Sequence, residues 1–334
     1  MEKQLFGTLP SGEDVFIYQI KDGDFTAEIM EYGAAIVSLR PFGSVNVVGG
    51  FDTLEHYLTD TSNQGAIVGR VANRIENAQF ELDRKVYQLI ANDNGNCLHS
   101  GIGFHHRLWK VEKHTNTSIT LSYYSPDGED GFPGNLAVAV TYTIQNKSLF
   151  ISYQAIPDHT TPIALTNHTY FNLDGFGGTI YEHTIQIWAD HYTEVNDKLI
   201  PTGNRPSVAG TPFDLRVPSS IGAHFSPTFD GYDHNMILAP AIYKEFAGQR
   251  IALSARLENK TMTMQMFTDQ PGIQFYTGNF LGDGPNFKNE TPQIRHGGLC
   301  LEAQTEPNCI HRGKSIYKKG EVYRQLTVYE FAAK

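Results

Sequence analysis

Cysteine is scarce in this chain of 334 residues: Cys97, Cys300 and Cys309 are an odd number with no Cys-x-x-Cys pair among them. Neither a disulfide framework nor a cysteine-held zinc is indicated, and free thiols are expected. Positive charge is in deficit, with 26 Lys and Arg against 36 Asp and Glu, a formal net charge of -10, and no basic block. Nucleic acid needs clustered cations, so it is excluded as a partner, and small neutral ligands suit the chain better. Long apolar runs are missing too, and Met1 to Gly7 holds no basic patch leading into an apolar core. The expected protein is soluble and cytoplasmic, with no membrane partner. The motifs HExxH, GxxxxGK[ST] and GxGxxG do not occur, so neither a metal nor a phosphate-bearing cofactor is expected.

Long amphipathic helical patterns are also lacking, and only Thr53 to Leu58 and a turn near Ser219 to Ala223 suggest short helices. Short runs bounded by Gly, Pro, Asn and Asp recur instead. Asp14 to Ile20, Phe25 to Met30, Ile119 to Tyr124 and Ala137 to Ile144 read as strands, and several of them alternate apolar with polar residues, as strands with one wet face do. The fold class is therefore all-β, a large sandwich of mostly antiparallel sheets. No linker, low-complexity tract or internal repeat divides it, so residues 1–334 are read as a single domain. Asp127 to Asn135, Thr202 to Pro218 and Leu281 to Gln293 read as long connections over a binding face.

One stretch departs from plain strand chemistry. Pro162 to Leu173 has the apolar content of a half-buried strand, yet Asn167, His168 and Asn172 are set into it. His168 is either a histidine satisfied inside a β-core or a group that faces a cleft and moves protons near neutral pH. A matching oddity lies near the other end, where Gly297 to Gln304 is a short apolar run holding one carboxylate, Glu302. Such a group is costly unless paired or used.

Three further segments hold polar groups in unusual company. Gly65 to Ile75 packs Arg70, Asn73 and Arg74 into an otherwise apolar run, where an arginine meets either a carboxylate or a ligand oxygen. Asn96 to Gly101 sets His99 beside a turn, and His105-His106 after it read as solvated loop residues. In Phe229 to Asn235, Asp230 before Gly231 suits an Asx turn, whereas Asp233 can accept from two neighbouring hydroxyls at once, a grip that suits a sugar.

Taken together these segments resemble the aldose 1-epimerases, the galactose mutarotase family. The pieces that carry the resemblance are Gly69-Arg70-Val71-Ala72-Asn73-Arg74-Ile75, Leu98-His99, Glu129 to Leu136, Thr166 to Leu173, Tyr232-Asp233-His234 and Leu301-Glu302-Ala303-Gln304. They follow the family's order along nearly the whole chain. The resemblance implies the family's large β-sandwich and a cofactor-free exchange of the α and β anomers of a hexose such as galactose or glucose. It puts Glu302 in the position of the base and His168 in that of the acid, with Asn73, Arg74, His99, Asp233 and Gln274 holding the sugar. Ser100-Gly101 and His105-His106 depart from residues common in the family, and bear on sugar preference. The rival readings are a glycoside hydrolase using Asp233 and Glu302, and a carbohydrate-binding protein without chemistry. Monomer and homodimer are both compatible with the sequence.

Overall fold

The computed structural model describes residues 3–246 and 248–334; Met1 and Glu2, part of the N-terminal stretch read above, lie outside them. Alternation decides the architecture. Leu136–Gln145 and Ser148–Pro157 bury every second side chain, and they pair in register from Leu136↔Pro157 to Gln145↔Ser148. These two strands are the middle of a ten-stranded sheet in which Lys110–His114 and Ser118–Ser125 continue one flank. On the other flank come Tyr323–Ala333, Met262–Thr268, Gln249–Glu258 and shorter edge strands.

A five-stranded sheet runs in the order Tyr170–Phe171, Leu299–Gln304, Gly272–Tyr276, Asp233–Leu238, Ala189–Tyr192, and a four-stranded sheet is formed by the strands between Lys3 and Arg40. The strands of all three sheets pair antiparallel, as expected for a sandwich. The largest apolar cluster joins them, drawing side chains from Tyr18 to Phe331.

The expected strands are present as Asp14–Asp22, Phe25–Met30, Ser118–Ser125 and Leu136–Gln145. The one α-helix among the described residues is Leu54–Thr59, whose N-cap Thr53 accepts the His56 amide at 3.4 Å. The expected turn near residue 220 is a strand pair of residues followed by the 3-10 helix Ile221–His224. No helix of the described residues is long and apolar enough to cross a membrane.

One expectation fails instructively. Pro162 to Leu173 is not a half-buried strand: Thr161 to Leu173 is buried at every position, and it breaks into three two-residue pairings. Thr161–Pro162 meets Ile316–Tyr317, Thr166–Asn167 meets Ile67–Val68, and Tyr170–Phe171 meets Leu299–Gln304. The segment threads between elements instead of lying in one sheet, and its polar residues pay for the turns by bonding main-chain groups.

Candidate active site

The strand Leu299–Gln304 is buried along its whole length, with different company on its two faces. Leu299, Leu301 and Ala303 point into the main apolar cluster. Cys300, Glu302 and Gln304 therefore project to the opposite face, because successive side chains alternate. On that face Glu302 lies across from Gln274, and Gln274 from Asn235, while Cys300 lies between Tyr170 and Tyr276 and Tyr276 beside Asp233. Residues far apart in the chain thus form one polar floor.

Above this floor an open cavity of about 140 Å³ is lined by Asn73, Arg74, His99, His168, Asp233 and Glu302, with Tyr170, Tyr276 and the exposed Phe280 among its apolar walls. Gln274 does not reach the wall: its amide donates to the Asp233 carboxylate at 2.7 Å, so it holds a wall residue from below.

The turn carrying His168 is fixed by its neighbours. The Asn167 side-chain amide donates to the Gly65 carbonyl at 2.8 Å, the Asn172 amide to the Gly297 carbonyl at 2.8 Å, and the His168 main chain bonds Ala66 and Gly65. The two asparagines are structural clamps, and the histidine between them faces the cavity. His168 Nε2 lies 3.8 Å from Glu302 Oε1, both side chains almost fully buried.

Burial dominates the electrostatics here. It pulls the His168 ring down to about 4, and pushes Glu302 well above the usual carboxylate range, with nearby Asp233 adding to the rise and Arg74 opposing it. Each group alone is driven toward its neutral form, yet opposite charges this close attract strongly away from water. One proton therefore serves the pair, held on either the carboxyl or the ring. The second carboxyl oxygen, Oε2, has no protein partner, and neither does Gln274 Oε1.

Arg74 and His99 are positioned by strained backbone. Asn73, His99 and Ser100 have φ of 62°, 53° and 67°, a region that ordinary side chains rarely occupy. The resulting turn lets the Asn73 amide donate to His99 Nδ1 at 3.2 Å while the His99 amide donates to the Asn73 carbonyl at 3.1 Å. With Nδ1 occupied as an acceptor, a neutral His99 carries its proton on Nε2. Neutrality is enforced by burial first, then by His168, His105 and Arg74. The Arg74 Nε donates to Asp93 at 2.7 Å. Asp233 is itself pushed up by burial, against the pull of Arg74 and the Gln274 hydrogen bond.

The two arginines divide the two possibilities that the sequence left open. Arg70 is 2% exposed and spends its donors on Ser125, Thr161 and the carbonyls of Pro133 and Gly134, all structural oxygens. Arg74 pairs with a carboxylate and reaches the cavity.

The solvated reading of His105-His106 is wrong. His105 is buried, 6.3 Å from the His99 ring, and His106 bonds the Tyr32 hydroxyl at 3.0 Å, so together they form a layer behind the cavity. The adjacent short 3-10 helix, Phe104–His106, draws them inward because buried Phe104 anchors it. Asp127 to Asn135 and Thr202 to Pro218 do not line the cavity either; the first instead pairs with Arg107 through Glu129 and Asp130. Sequence reasoning missed the loop Thr61 to Asn63 and Phe280 as wall residues. The latter's place just before the long connection Leu281 to Gln293 was the one available sign of it.

Comparison with known proteins gives the family. The aldose 1-epimerase family model matches residues 17–330. The chain belongs to the aldose 1-epimerase family. The galactose mutarotase of Mus musculus is 40% identical over 99% of this chain and 98% of its own, and the aldose 1-epimerase of Escherichia coli is 33% identical over 97% of each. Among solved structures, an aldose epimerase homologue from C. elegans superposes with a TM-score of 0.85 at 28% identity, covering 95% of this chain and 98% of that one. As a family member, the chain has its large β-sandwich accounted for.

A metal could in principle find donors here, since ligand atoms of His168, Cys300 and Glu302 lie within 4.8 Å of one another. Burial holds the proton on the Cys300 thiol, so a metal bound there would have to displace it.

Proposed function

We propose that the protein is an aldose 1-epimerase that exchanges the α and β anomers of a hexose such as galactose or glucose, with Glu302 as base and His168 as acid. The observation that carries the assignment is the meeting of these two buried side chains, 3.8 Å apart, on the wall of one open cavity.

Anomers exchange through the open chain. The Glu302 carboxylate takes the proton of the anomeric hydroxyl while the protonated His168 ring gives one to the ring oxygen; the C1–O5 bond breaks and C1 becomes an aldehyde. After rotation about C1–C2 the roles reverse: His168 takes the proton back from the O5 hydroxyl and Glu302 returns one to the carbonyl oxygen. Each partner contributes about 10²–10⁴ in rate. The pair exchanges a single proton, so the site returns to its starting charge. Burial removes the water that would otherwise level the acid and the base.

Arg74 and the Nε2 proton of His99 supply positive potential for alkoxide character at the ring oxygen. Asp233, braced by Gln274, and Asn73 hold the distal hydroxyls while C1 turns. Asp233 keeps one carboxylate oxygen on the Gln274 amide at 2.7 Å, which braces it as a gripping group. The whole of 1–334 acts as one unit in this reading, consistent with an apolar cluster that spans its sheets. The cavity is walled by one chain, so a monomer serves as well as a homodimer. Three buried free thiols fit the reducing cytoplasm.

Polarimetry on freshly dissolved α-galactose and α-glucose tests the function. The drift in optical rotation should accelerate in proportion to enzyme, and a disaccharide should release no monosaccharide. Unaccelerated drift with retained sugar binding would instead make this a carbohydrate-binding protein.

A further inference from the structure

The strand that carries Glu302 touches both nitrogens of the catalytic ring. Glu302 Oε1 faces His168 Nε2 at 3.8 Å, and two residues earlier Cys300 Sγ lies 3.7 Å from His168 Nδ1. Side chains two apart in a strand share a face about 7 Å apart along the chain, so one imidazole is bracketed by a carboxylate and a thiol. Cys300 is fully buried, held in register opposite Tyr170 on one side and Tyr276 on the other, and it is not itself a wall of the cavity.

Proton exchange with the sugar has to run through Nε2, the nitrogen on the Glu302 side. When the protonated ring gives up that proton, the neutral form that remains carries hydrogen on Nδ1 and a lone pair on Nε2, ready to take the proton back. The ring must therefore keep its Nδ1 hydrogen through the whole cycle. We infer that Cys300 is a positioning residue that accepts the Nδ1 hydrogen of His168 on its sulfur and so reserves Nε2 for the sugar, an inference that rests on His168 being the acid.

A thiol suits this task better than a carboxylate. Sulfur is a weak acceptor, so it orients the ring without making the ring's proton harder to release. Burial keeps the thiol protonated, which prevents it from competing for the shuttled proton. The His168 main-chain carbonyl also contacts the ring, and unlike the thiol it raises the ring's proton affinity. The remaining groups around His168 are Glu302, His99 at 5.3 Å between ring centroids, Tyr170 at 5.2 Å and Tyr276 at 6.5 Å. Charge at His105, Arg74 and Asp233 reaches the site from farther off. Apart from the ring's own main-chain contact, Cys300 is the one group among the described residues that makes a hydrogen-bond contact with Nδ1.

Histidine-ring nitrogen NMR on isotope-labelled protein near neutral pH tests the assignment, with His168→Asn identifying the signal. The free enzyme should show the ring of His168 protonated on Nδ1. Cys300→Ala should mix the tautomers, lower kcat about tenfold, below the full worth of an acid, leave KM nearly unchanged, and shift the limb of the kcat–pH profile due to His168. Cys300→Ser, which keeps an acceptor, should recover most of the rate. A wild-type ring protonated on Nε2 overturns the inference, and so does a Cys300→Ala enzyme with unaltered kcat and pH profile. If Cys300→Ala does not fold, the wild-type spectrum and Cys300→Ser still decide. An active His168→Asn enzyme would instead overturn the assignment of His168 as acid, which separates the two failures.

Discussion

Replacing Glu302 by Gln keeps the shape of a side chain that is 2% exposed and removes only its ability to take a proton. A general base contributes about 10²–10⁴ in rate, which corresponds to about 3–5 kcal/mol of transition-state stabilisation at about 1.4 kcal/mol per tenfold. KM should change little, because the amide can still hydrogen-bond the anomeric hydroxyl. Stability gives an independent control. The native state holds the Glu302 proton more tightly than the unfolded chain does, so its contribution is full below the ordinary carboxylate pKa and drains away as pH rises through the raised native value. Gln abolishes that loss, so the variant should be at least as stable as wild type at neutral and alkaline pH. Polarimetric kcat and denaturant unfolding on the same preparation give both numbers. A variant retaining more than about a tenth of the rate, well short of the loss expected for a base, would refute the role given to Glu302; slow turnover accompanied by a lowered unfolding midpoint would refute the electrostatic reasoning.

His168→Asn should lower kcat by about 10²-fold or more with a modest change in KM, and an effect confined to KM would reassign the residue to binding. Asp93→Asn frees the Arg74 guanidinium from its 2.7 Å partner and should lower kcat/KM about tenfold, since small misplacements of a charge at the reacting centre are costly; unchanged kinetics would mean that Arg74 needs no such anchor. Burial also pulls His234 down to about 4, where its ring packs 4.5 Å from that of Phe213. The unfolded chain therefore binds a proton there that the native state refuses, so stability is full above the ordinary histidine pKa and is lost as pH falls toward 4. His234→Gln should remove up to about 3 kcal/mol of that acid sensitivity, measured as the difference in unfolding free energy between neutral and mildly acidic buffer.

The fold and the site were legible to different degrees. Alternation marked Leu136–Gln145 because every second side chain there is only partly buried, and Thr53 announced the helix by its capping chemistry. Glu302 and His168 stood out because ionisable groups in apolar runs violate the rule that governs their neighbours. The run around His168 misled as to structure, since apolar content signals burial without saying which strand a residue will meet. Its three partners lie in different parts of the chain, from Ile67 to Tyr317, and such choices are made by the packed whole. His105-His106 misled for the same reason: a histidine pair reads as polar until Phe104 is known to anchor it inward. The bracketing of one ring by Cys300 and Glu302 depended on a register between strands that no local pattern encodes.

The interdependence of Glu302 and His168 is tested most directly by polarimetric kcat for Glu302→Gln, His168→Asn and the double variant. Groups that pass one proton between them act as a unit, so the double variant should turn over at about the rate of the slower single one. Losses that simply multiply would mean that each residue works alone, and a shared proton between them would have to be given up.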